Sequence, residues 1–590
     1  MALIFYDFEV FKHNWLICAI NPITRERTAI WDSQYRFEKF YEKFKGDIWC
    51  GYNSRGYDTY IAKSILAGYN PYQMSEWIIK KKRKGHEFSS ALNRFPLINF
   101  DCMVGFHGLK TVEAFMGKSI DETEVPFDID RPLTTAEKAK TEKYCFADVE
   151  HTMEVFAEQK EEFTSYMALL KLFNLPLSYI GKTKAQLSAA ILGARRVKRN
   201  DEFDIHFPDN LEIGRYKAVL DYFKNDWNYD TNLVIDIAGV PHVFASGGIH
   251  GAKGNVKRWY APKSTWIIDS KLQIPYWEDG EFLHIDVASY YPTLMEKYPE
   301  YCMSRNVPDP KKFGEIKALR LKYKREKNPV QAPLKIVING TFGATKDPMN
   351  PLYDPRQSNH TCIWGQLFLV DLIDKLEDHC EIINTNTDGL IVKIRNNYDE
   401  IVKIVRTFEE RTHLEFEIDR ATKIRQRNVN NYLCVMEDGE IETKGGMLKQ
   451  GTPLDNDLPI ISEAVMKALL GEATIEDTIH NCHDLIKFQK VYKLSDHFEY
   501  CVHNEEHHTN KAYRVFASID HTDTPLYKGR RELRKGEWVD ARQLFANCPE
   551  RVKIINSNIE GVTRPDWLDM DWYINEANKR LDVFKKAGEN

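Results

Sequence analysis

The feature that most constrains this chain is a set of acidic residues inside or at the ends of apolar segments. Asp7 and Glu9 stand two apart in LIFYDFEVF, Asp286 follows FLHI, and Asp388 lies between IINTNT and GLIVKI. Residues two apart on a strand point to the same face, so Asp7 and Glu9 lie in one environment. Carboxylates that meet in one place repel each other unless cations lie between them. The chain must therefore build sites where acidic side chains converge on cations.

The length of the chain calls for several hydrophobic cores. Because 590 residues exceed what one core supports, we expect roughly two to four domains. No apolar run reaches the roughly 18 residues that cross a bilayer. The start, MALIFYDFEVF, lacks the basic stretch and cleavage site of a signal peptide. We therefore expect a cytoplasmic protein with no membrane partner.

The formal net charge of −6 argues against a generally basic coat for nucleic acids. Local runs of lysine and arginine can still meet phosphates. Such runs occur at 80–84 (KKKRK), 195–199 (RRVKR), 317–327 and 528–535 (KGRRELRK). The acidic balance also fits an enzyme that binds divalent metal ions through carboxylates.

Apolar periodicity predicts a mixture of strands and helices. Strands are predicted at Leu3–Phe11 and on both sides of a turn within Glu381–Ile394, and a glycine-rich linker loop is predicted at 244–255. Helices are predicted at Tyr57–Ala67, Thr135–Phe163, Leu169–Lys198, Pro308–Lys327, Val330–Phe342, Trp364–Glu377 and Trp567–Lys586. Within Leu169–Lys198, a break is predicted at residues 174–176 (NLP). The alternation over roughly the first 160 residues is typical of an α/β nuclease-like domain.

The acidic residues near the N-terminus form a first candidate site. Asp7 and Glu9 are followed by Asn53 and Asp58 in GYNSRGYD, and then by Tyr144 and Asp148, which lie four apart and face the same side of a predicted helix. Two divalent ions about 4 Å apart would neutralise these carboxylates and support phosphodiester hydrolysis. A tyrosine hydroxyl one turn from a ligand can orient the attacking water.

A second candidate site lies in the middle of the chain. Asp286 at a strand end and Asp388 in a hairpin turn are well placed to bind metal ions. Between them, LKIVINGTFG presents Lys335 and Asn339 on one helix face. A lysine there can neutralise a triphosphate, and Arg320 and Lys324 on the preceding helix can add to the same positive charge.

The N-terminal set resembles the exonuclease motifs of proofreading DNA polymerases, which are D-x-E, N-x-x-x-Y-D and Y-x-x-x-D. All three patterns are complete in this chain. Lys110 in GLKTVEAF resembles a lysine that several family B exonuclease sites place near the scissile phosphate. The resemblance implies that Asp7, Glu9, Asp58 and Asp148 bind metal, that Tyr144 and Lys110 act in catalysis, and that Asn53 contacts substrate.

The central set resembles the polymerase motifs of family B DNA polymerases. DVASYYP is similar to D-x-x-S-L-Y-P, KIVINGTFG to K-x-x-x-N-S-x-Y-G, and NTDG to the D-T-D-S turn. FASGGIHG resembles the glycine-bearing segment that joins the exonuclease and polymerase modules in small bacteriophage members. Lys444-Gly445-Gly446 stands where the family has a lysine-glycine element. The resemblance covers roughly residues 1 to 450 and preserves the family's motif order.

The resemblance implies a role for each central residue. Asp286, Asp388 and the Val287 carbonyl would bind two Mg²⁺ ions, with Mn²⁺ as the alternative metal. Tyr291 would stack under the deoxyribose, and Lys335, with Lys324 or Arg320, would bind the triphosphate. Asn339 and Phe342 would line the nucleotide pocket, while Tyr432 and Lys444 would contact primer-template DNA.

Three departures from the family pattern matter. Asn386 replaces the first aspartate of the D-T-D turn, and Asn430 stands where a lysine is usual. Gly340 and Phe342 replace the serine and tyrosine of the second motif. We interpret the chain as a divergent active polymerase. The alternative is a 3′–5′ exonuclease whose polymerase half only binds primer-template, an interpretation that Asn386 motivates.

The resemblance implies a multidomain α/β and α+β architecture, with an RNase H-like exonuclease and a right-hand polymerase. The expected domains are the exonuclease (1–190), the palm (191–307 and 345–451), short helical fingers (308–344) and an enlarged thumb (452–590). The short 308–344 segment leaves no room for a protein-priming insertion, so we expect a nucleic-acid primer. The expected partners of this monomer are primer-template DNA, dNTPs and phage replication accessory proteins, in the host cytoplasm if the protein is viral.

Overall fold

The structure, a computed structural model, describes residues 2–261, 264–534 and 537–585. The chain forms a mixed α/β fold with two compact units, which confirms the multidomain α/β class expected from the sequence. The first unit comprises Met1–Gly181, Gln450–Ile461 and Glu476–Asn575, and the second comprises Lys182–Lys449, Ser462–Ile475 and Glu576–Asn590. Within the described ranges, no helix combines the length and apolar character needed to span a membrane.

The N-terminal stretch alternates strands and helices. Its strands are β1 (Leu3–Val10), β2 (Trp15–Ile20), β3 (Arg27–Trp31), β4 (Ile48–Gly51) and β5 (Asn99–Asp101). Its helices are α1 (Gln34–Phe44), α2 (Asp58–Leu66), α3 (Pro71–Ile79), α4 (Leu109–Phe115), α5 (Thr135–Glu158) and α6 (Lys160–Leu172). The strand predicted at Leu3–Phe11 and the helix predicted at Tyr57–Ala67 are confirmed. The helix predicted at Thr135–Phe163 is confirmed as far as Glu158, after which Gln159 separates α5 from α6.

In its described residues, the middle of the chain contains a long antiparallel sheet, a separate pair of strands and eight helices. The strands are β6 (Leu233–Ile237), β7 (Val240–Ala245), β8 (Gly248–Ala252), β9 (Lys257–Tyr260), β10 (Thr265–Ile268), β11 (Tyr276–Val287), β12 (Cys380–Asn386), β13 (Gly389–Ile394), β14 (Phe416–Asn428), β15 (Asn431–Met436) and β16 (Ile441–Lys444). Of these, β9 and β10 form the separate pair. The helices are α7 (Lys184–Ile191), α8 (Lys217–Asn225), α9 (Tyr290–Lys297), α10 (Pro299–Cys302), α11 (Lys311–Arg325), α12 (Gln331–Thr345), α13 (Pro355–Leu376) and α14 (Tyr398–Thr412). Thus α11 and α12 confirm the predicted helical hairpin.

The C-terminal stretch mixes short strands with helices. The strands are β17 (Lys490–Lys493), β18 (Tyr500–His503), β19 (Glu506–His508), β20 (Ala512–Ala517), β21 (Tyr527–Arg534), β22 (Glu537–Leu544) and β23 (Val552–Ile554). The helices are α15 (Pro459–Leu470), α16 (Ile475–His480) and α17 (Met570–Lys585).

In the first unit, β1 lies in the middle of a sheet with the order β3-β2-β1-β4-β5. It pairs antiparallel with β2 and parallel with β4. Because successive strand residues face opposite sides, Tyr6 and Phe8 point into one aromatic core, where the Tyr6 ring lies 5.1 Å from the Trp49 ring. The odd-numbered face carries Asp7 and Glu9, and α5 packs against this strand.

The same unit contains two further sheets, with the orders β17-β20-β23 and β19-β18-β21-β22. α4 packs against β17 and β20, and Ala114, Ile120 and Ala512 form one buried cluster. The compact units therefore do not follow the predicted boundary between 451 and 452, because residues Glu476–Asn575 group with the N-terminal residues. Contacts between residues so far apart leave no local pattern in the sequence.

In the second unit, the strand order is β16-β15-β14-β11-β13-β12-β8-β7-β6. The central strand β11 pairs antiparallel with both β13 and β14. Helix α13 is almost entirely buried and packs against β8, α9 and α14. The sheet and α13 thus form the support on which Asp286 and Asp388 lie.

The prediction of a linker loop at 244–255 is wrong, because much of this segment is strand. Residues Gly248–Ala252 form β8, which pairs with both β7 and β12 inside this sheet. The glycines lower the strand propensity that would have indicated β8. They are needed for close packing, since a Cβ at Gly251 would lie 2.4 Å from the His242 ring.

The break predicted at residues 174–176 is confirmed, because α6 ends at Leu172, but the helix predicted over the rest of Leu169–Lys198 is wrong in part. Only α7 and the end of α6 are α-helical there, and residues 195–199 have no regular structure. α7 belongs to the second unit, although the predicted first domain ran to residue 190, because α7 packs on α12. The predicted helix Trp364–Glu377 is confirmed and begins earlier, at Pro355.

Candidate active sites

The N-terminal carboxylate site, defined by Asp7, Glu9, Asp58 and Asp148, lies in the first unit. β1 supplies Asp7 and Glu9, the first turn of α2 supplies Asp58, and α5 supplies Asp148. All four line one open cleft of about 560 Å³, together with Asn53 and Tyr144. Tyr57 lines the same cleft, so the structure brings together all seven residues of the three sequence patterns.

The acidic groups of this site are costly to ionise together. Burial, followed by the charges of Asp58 and Asp148, raises the pKa of Asp7 well above its usual range. Burial and Asp7 do the same to the pKa of Glu9. Burial raises the pKa of Asp58 to about 7, and that of Asp148 to about 6 against the opposing charge of Lys110. Cations bound in the cleft would relieve this repulsion.

The donor set of this site suits hard divalent cations. Four carboxylates offer oxygen ligands, which Mg²⁺ and Mn²⁺ prefer. Among the described residues, Oδ1 of Asp58 is buried and has no hydrogen-bond partner, as expected for an atom that awaits a cation. Cys145 also lies close to Asp7 and Glu9. Burial raises the pKa of its thiol, so Cys145 is protonated at neutral pH in the absence of a metal ion.

Lys110, on α4, lies against this site. Its Nζ donates to Oδ1 of Asp148 at 2.5 Å and to Oε1 of Glu113 at 3.2 Å, and lies 4.7 Å from the centre of the Tyr144 ring. Burial opposes the charge of Lys110, but Asp148 and Glu113 outweigh it and raise the pKa of the ammonium group. A charged lysine therefore lies beside the metal-binding carboxylates.

Glu113 and His151 belong to this site and were not predicted from the sequence. The Glu113 side chain is completely buried, and its Oε1 lies 2.8 Å from Nδ1 of His151. Helical spacing could have indicated both residues. Glu113 follows Lys110 by three residues and His151 follows Asp148 by three, so each lies on the same helix face as a predicted site residue.

The central carboxylate pair, Asp286 and Asp388, lies in the second unit. Asp286 ends β11 and pairs with Gly389, and the amide of Val287 donates to the Asp388 carbonyl at 2.8 Å. Burial, followed by the charge of Asp388, raises the pKa of Asp286 to about 6. Asp388 itself is exposed. The pair thus offers oxygen ligands and a charge repulsion that divalent cations would relieve.

The turn that carries Asp388 is held by β8. Thr387 has a left-handed backbone, with φ of 47°. Its amide donates to the Ile249 carbonyl at 2.9 Å, and its hydroxyl lies 3.2 Å from Nε2 of His250. His250 is also the residue that pairs with Asn386 across β8 and β12. Sequence reasoning missed His250, since its segment was predicted to be a loop.

Tyr291 and Phe342 contact each other beside the pair. Their ring centres lie 4.4 Å apart, and the Tyr291 hydroxyl donates to the Gly247 carbonyl at 3.2 Å. Burial raises the pKa of the Tyr291 phenol, so the hydroxyl remains protonated. These contacts fix the Tyr291 ring, on α9, against α12 and the turn between β7 and β8.

The cationic side chains differ in exposure. Lys335 and Asn339 on α12 and Lys324 on α11 are exposed, whereas Arg320 is only 9% exposed and its pKa is lowered by burial. Lys324 is therefore more accessible to a triphosphate than Arg320.

The glycine at position 340, where the resemblance leads one to expect serine, has a structural reason. A Cβ at Gly340 would lie 2.9 Å from Oγ of Ser188 on α7.

Tyr432 and Lys444 are direct partners across β15 and β16. Tyr432 is buried and Lys444 is exposed, on the sheet that also carries Asp286. A phosphate backbone therefore has access to Lys444.

Comparison with known proteins gives a partial match. No family model matches the chain. The sequence is 26% identical over 184 residues to DNA polymerase 1 of Saccharolobus solfataricus, which is 29% of this chain and 20% of that protein. DNA polymerase 1 of Sulfurisphaera ohwakuensis is 24% identical over 197 residues, 32% of this chain and 21% of that protein. The matched part thus spans about a fifth of the length of these curated relatives.

Among solved structures, the family B DNA polymerase from the hyperthermophilic archaeon Pyrobaculum calidifontis matches 99% of this chain and 78% of its own. The TM-score is 0.41 and the sequence identity is 12%. The sequence of this chain is therefore similar, over about a third of its length, to archaeal DNA polymerases.

Proposed function

We propose that this protein is a family B DNA polymerase that extends a nucleic-acid primer on a DNA template and carries a 3′–5′ proofreading exonuclease. The observation that carries the proposal is that each compact unit contains its own convergent carboxylate site. The similarity to archaeal DNA polymerases supports the same conclusion. The first unit would be the RNase H-like exonuclease, with an antiparallel β3-β2-β1 edge and parallel β4 and β5.

In the exonuclease, Asp7, Glu9, Asp58 and Asp148 would bind two divalent cations. Such cations, when bound, supply charge for an activated water and for the leaving 3′ oxygen. Tyr144 orients the water, and Lys110 offers positive charge to the scissile phosphate. Hydrolysis breaks the P–O3′ bond, releases a nucleoside monophosphate and leaves a shortened 3′ end.

In the polymerase, the sheet of the second unit would be the palm and the α11–α12 hairpin the fingers. Asp286 and Asp388, with the Val287 carbonyl, would bind two Mg²⁺ ions. Lys335 and Lys324 neutralise the triphosphate, Asn339 and Phe342 line the nucleotide pocket, and Lys444 contacts the duplex. The primer 3′-oxygen attacks the α-phosphate in line and pyrophosphate leaves.

The length of the α11–α12 segment supports a proposal about the kind of primer and the kind of replication. The hairpin fills residues 308–344 and leaves no space for a protein-priming insertion. We therefore propose a nucleic-acid primer and a phage-type replication role, as for the small bacteriophage members that the motifs resemble. The curated relatives that match the sequence are archaeal, so the phage assignment rests on the motifs and the short hairpin.

Primer extension tests the proposal directly. A 5′-labelled primer on a longer template should lengthen with Mg²⁺ and dNTPs and shorten with Mg²⁺ alone. Asp388→Ala should abolish lengthening and retain shortening, whereas the double variant Asp7→Ala and Glu9→Ala should do the reverse. Asp209→Ala and Asp496→Ala are matched controls, because both side chains are exposed and lie outside the two sites.

The results separate the proposal from its alternatives. Loss of both activities in either variant would show that the two sites are not independent. Nucleotidylation of a protein hydroxyl, with no extension of an oligonucleotide, would overturn the proposed primer.

A second candidate function is a 3′–5′ exonuclease whose polymerase half only binds primer-template. Asn386 favours it, because an amide supplies no negative charge to the metal site. Shortening without lengthening in the primer assay, at any divalent metal concentration, would support this function and exclude the first.

A further inference from the structure

Arg514 on β20 is a completely buried cation in the first unit. Among the described residues, no carboxylate lies within ion-pair distance of its guanidinium group. The guanidinium instead donates to backbone carbonyls, to Lys118 at 2.7 Å, Ser557 at 2.8 Å and Ala114 at 3.0 Å. Longer bonds reach the carbonyls of Glu113 and Ile555, both at 3.3 Å. Arg514 therefore joins the C-terminal part of the unit to the end of α4.

Helix α4 depends on such contacts. It has seven residues, and helices this short are not stable without tertiary contacts. The last carbonyls of a helix lack intrahelical partners and carry partial negative charge, so a buried cation there is favourable. Burial lowers the pKa of Arg514 to about 10, which leaves the group charged at neutral pH.

Other residues of the C-terminal part contact the same helix end. Nε2 of Gln489 donates to the Phe115 carbonyl at 3.0 Å, and the amide of Ile559 donates to the Gly117 carbonyl at 2.8 Å. The amide of Ile120 in turn donates to the Asn556 carbonyl at 2.7 Å. Residues 489–559 thus surround the segment that follows α4.

The position of α4 sets the position of two charged groups in the N-terminal carboxylate site. Lys110 and Glu113 both lie on this helix, and Lys110 Nζ lies between Asp148 and Glu113. His151, on α5, contacts Glu113 from the other side. A shift of α4 by a fraction of an ångström would therefore move the Lys110 ammonium away from Asp148.

We propose that residues 489–559 are a positioning element of the exonuclease, and that Arg514 is the positioning residue that fixes α4 and, through it, Lys110. This inference rests on the proposed exonuclease function. It assigns a role in proofreading to residues 489–559, which lie within the region (452–590) that the sequence predicted to be the thumb.

A double-mutant cycle tests the proposal. Arg514→Lys retains the positive charge but cannot reach the same set of carbonyls. Its exonuclease kcat should fall at least about tenfold, because a displacement near 1 Å at a catalytic group costs up to about a hundredfold. KM for the primer end and the rate of primer extension should stay unchanged. In a Lys110→Ala background, Arg514→Lys should cause no further fall in kcat.

Two results of the cycle would overturn the proposal. One is an equal fall in kcat with Lys110 present and with Lys110 removed, since Arg514 would then act independently of Lys110. The other is an unchanged kcat in Arg514→Lys. Arg551→Lys is the matched control, because Arg551 lies in the same C-terminal region and its Nε donates to the carbonyl of Ser518, which is not part of α4.

Hydrogen exchange gives a readout that needs no activity. The amides of residues 112–118 should exchange faster in Arg514→Lys than in the wild type and in Arg551→Lys, while those of α5 should not change. Equal exchange in the three proteins would refute the positioning role. If Arg514→Lys does not fold, Gln489→Met serves as the second variant. It removes the bonds from Nε2 of Gln489 to the Phe115 carbonyl and to the Asn456 carbonyl, and should give the same pattern at residues 112–118. A wild type that lacks exonuclease activity would refute the proposed function, and the exchange pattern would still decide the role of Arg514.

Discussion

Asp286 and Gly389 are paired across β11 and β13 so closely that a Cβ at position 389 would lie 2.1 Å from Oδ1 of Asp286. Heavy atoms do not approach to this distance without a covalent bond, so glycine is required for the Asp286 carboxylate to keep its position. The turn sequence NTDG therefore serves both acidic residues, since it presents Asp388 and leaves space for Asp286.

Gly389→Ala should abolish primer extension and leave the exonuclease intact. The added methyl group displaces the Asp286 carboxylate from the proposed metal site, and loss of a metal ligand should lower the extension rate at least about a hundredfold. Gly280→Ala, on the same strand as Asp286, is the control, because its Cβ would only approach the Phe282 ring to 3.6 Å. Equal extension rates in the two variants would contradict the role given to Asp286.

Asn386→Asp should lower the Mg²⁺ concentration needed for extension. The Asn386 side chain is half-buried, and its Nδ2 has no hydrogen-bond partner among the described residues. A carboxylate adds negative charge beside the central pair and so strengthens cation binding, by about tenfold for each 1.4 kcal/mol gained. The measurement is the extension rate as a function of Mg²⁺ concentration. A higher requirement in the variant would mean that position 386 does not face the metal site.

Tyr291→Ala should increase incorporation of ribonucleotides relative to deoxyribonucleotides. Contacts with Phe342 and the Gly247 carbonyl fix the Tyr291 ring, and such a fixed ring can block a 2′-hydroxyl. The measurement is single-nucleotide incorporation with each dNTP and with the matching rNTP. The ratio of the dNTP rate to the rNTP rate should fall at least about tenfold. A uniform fall with both nucleotides would show that Tyr291 supports the fold of the pocket and does not select the sugar.

The stability of the first unit in the absence of metal should fall as pH rises from about 4 to about 7. A carboxyl whose pKa is raised by burial binds its proton more tightly in the folded state than in the unfolded chain. The contribution of such a carboxyl to the free energy of unfolding is complete below its pKa in the unfolded chain, near 4. This contribution is lost as the pH rises through the pKa in the folded state, which is about 6 for Asp148 and about 7 for Asp58.

Thermal unfolding in EDTA, between pH 5 and pH 8, measures this effect. Tm should fall with pH in the wild type, fall less in Asp58→Asn, and recover at pH 8 when Mg²⁺ is added. An identical pH profile in Asp58→Asn and the wild type would contradict the raised pKa of Asp58.

Local patterns were enough to predict much of both sites. The spacing of Asp7 and Glu9 on β1, and of Tyr144 and Asp148 on α5, follows from the periods of a strand and a helix. The same is true of Lys335 and Asn339 on α12. These relationships depend only on backbone geometry within one element, so no tertiary contact was needed to predict them.

Contacts between distant segments could not be predicted in this way. The sequence of β8 contains glycines that favour a loop, and only its pairing with β7 and β12 makes it a strand that holds Thr387. Glu113 is an ordinary helical glutamate until α4 is packed beside α5. The grouping of residues 476–575 with the N-terminal residues has no sequence signal at all.

The sequence by itself determined which residues can bind cations and in what order they occur, because carboxylate chemistry and element periodicity are local properties. Only the tertiary structure decided that four of those carboxylates converge in one cleft with Lys110, and that Gly389 leaves space for Asp286. It also decided that Arg514, about 400 residues away in the chain, holds the helix that carries Lys110. The physical reason is that the convergence of these side chains depends on packing between segments that are far apart in the chain. Neither segment contains a local pattern that indicates its partner.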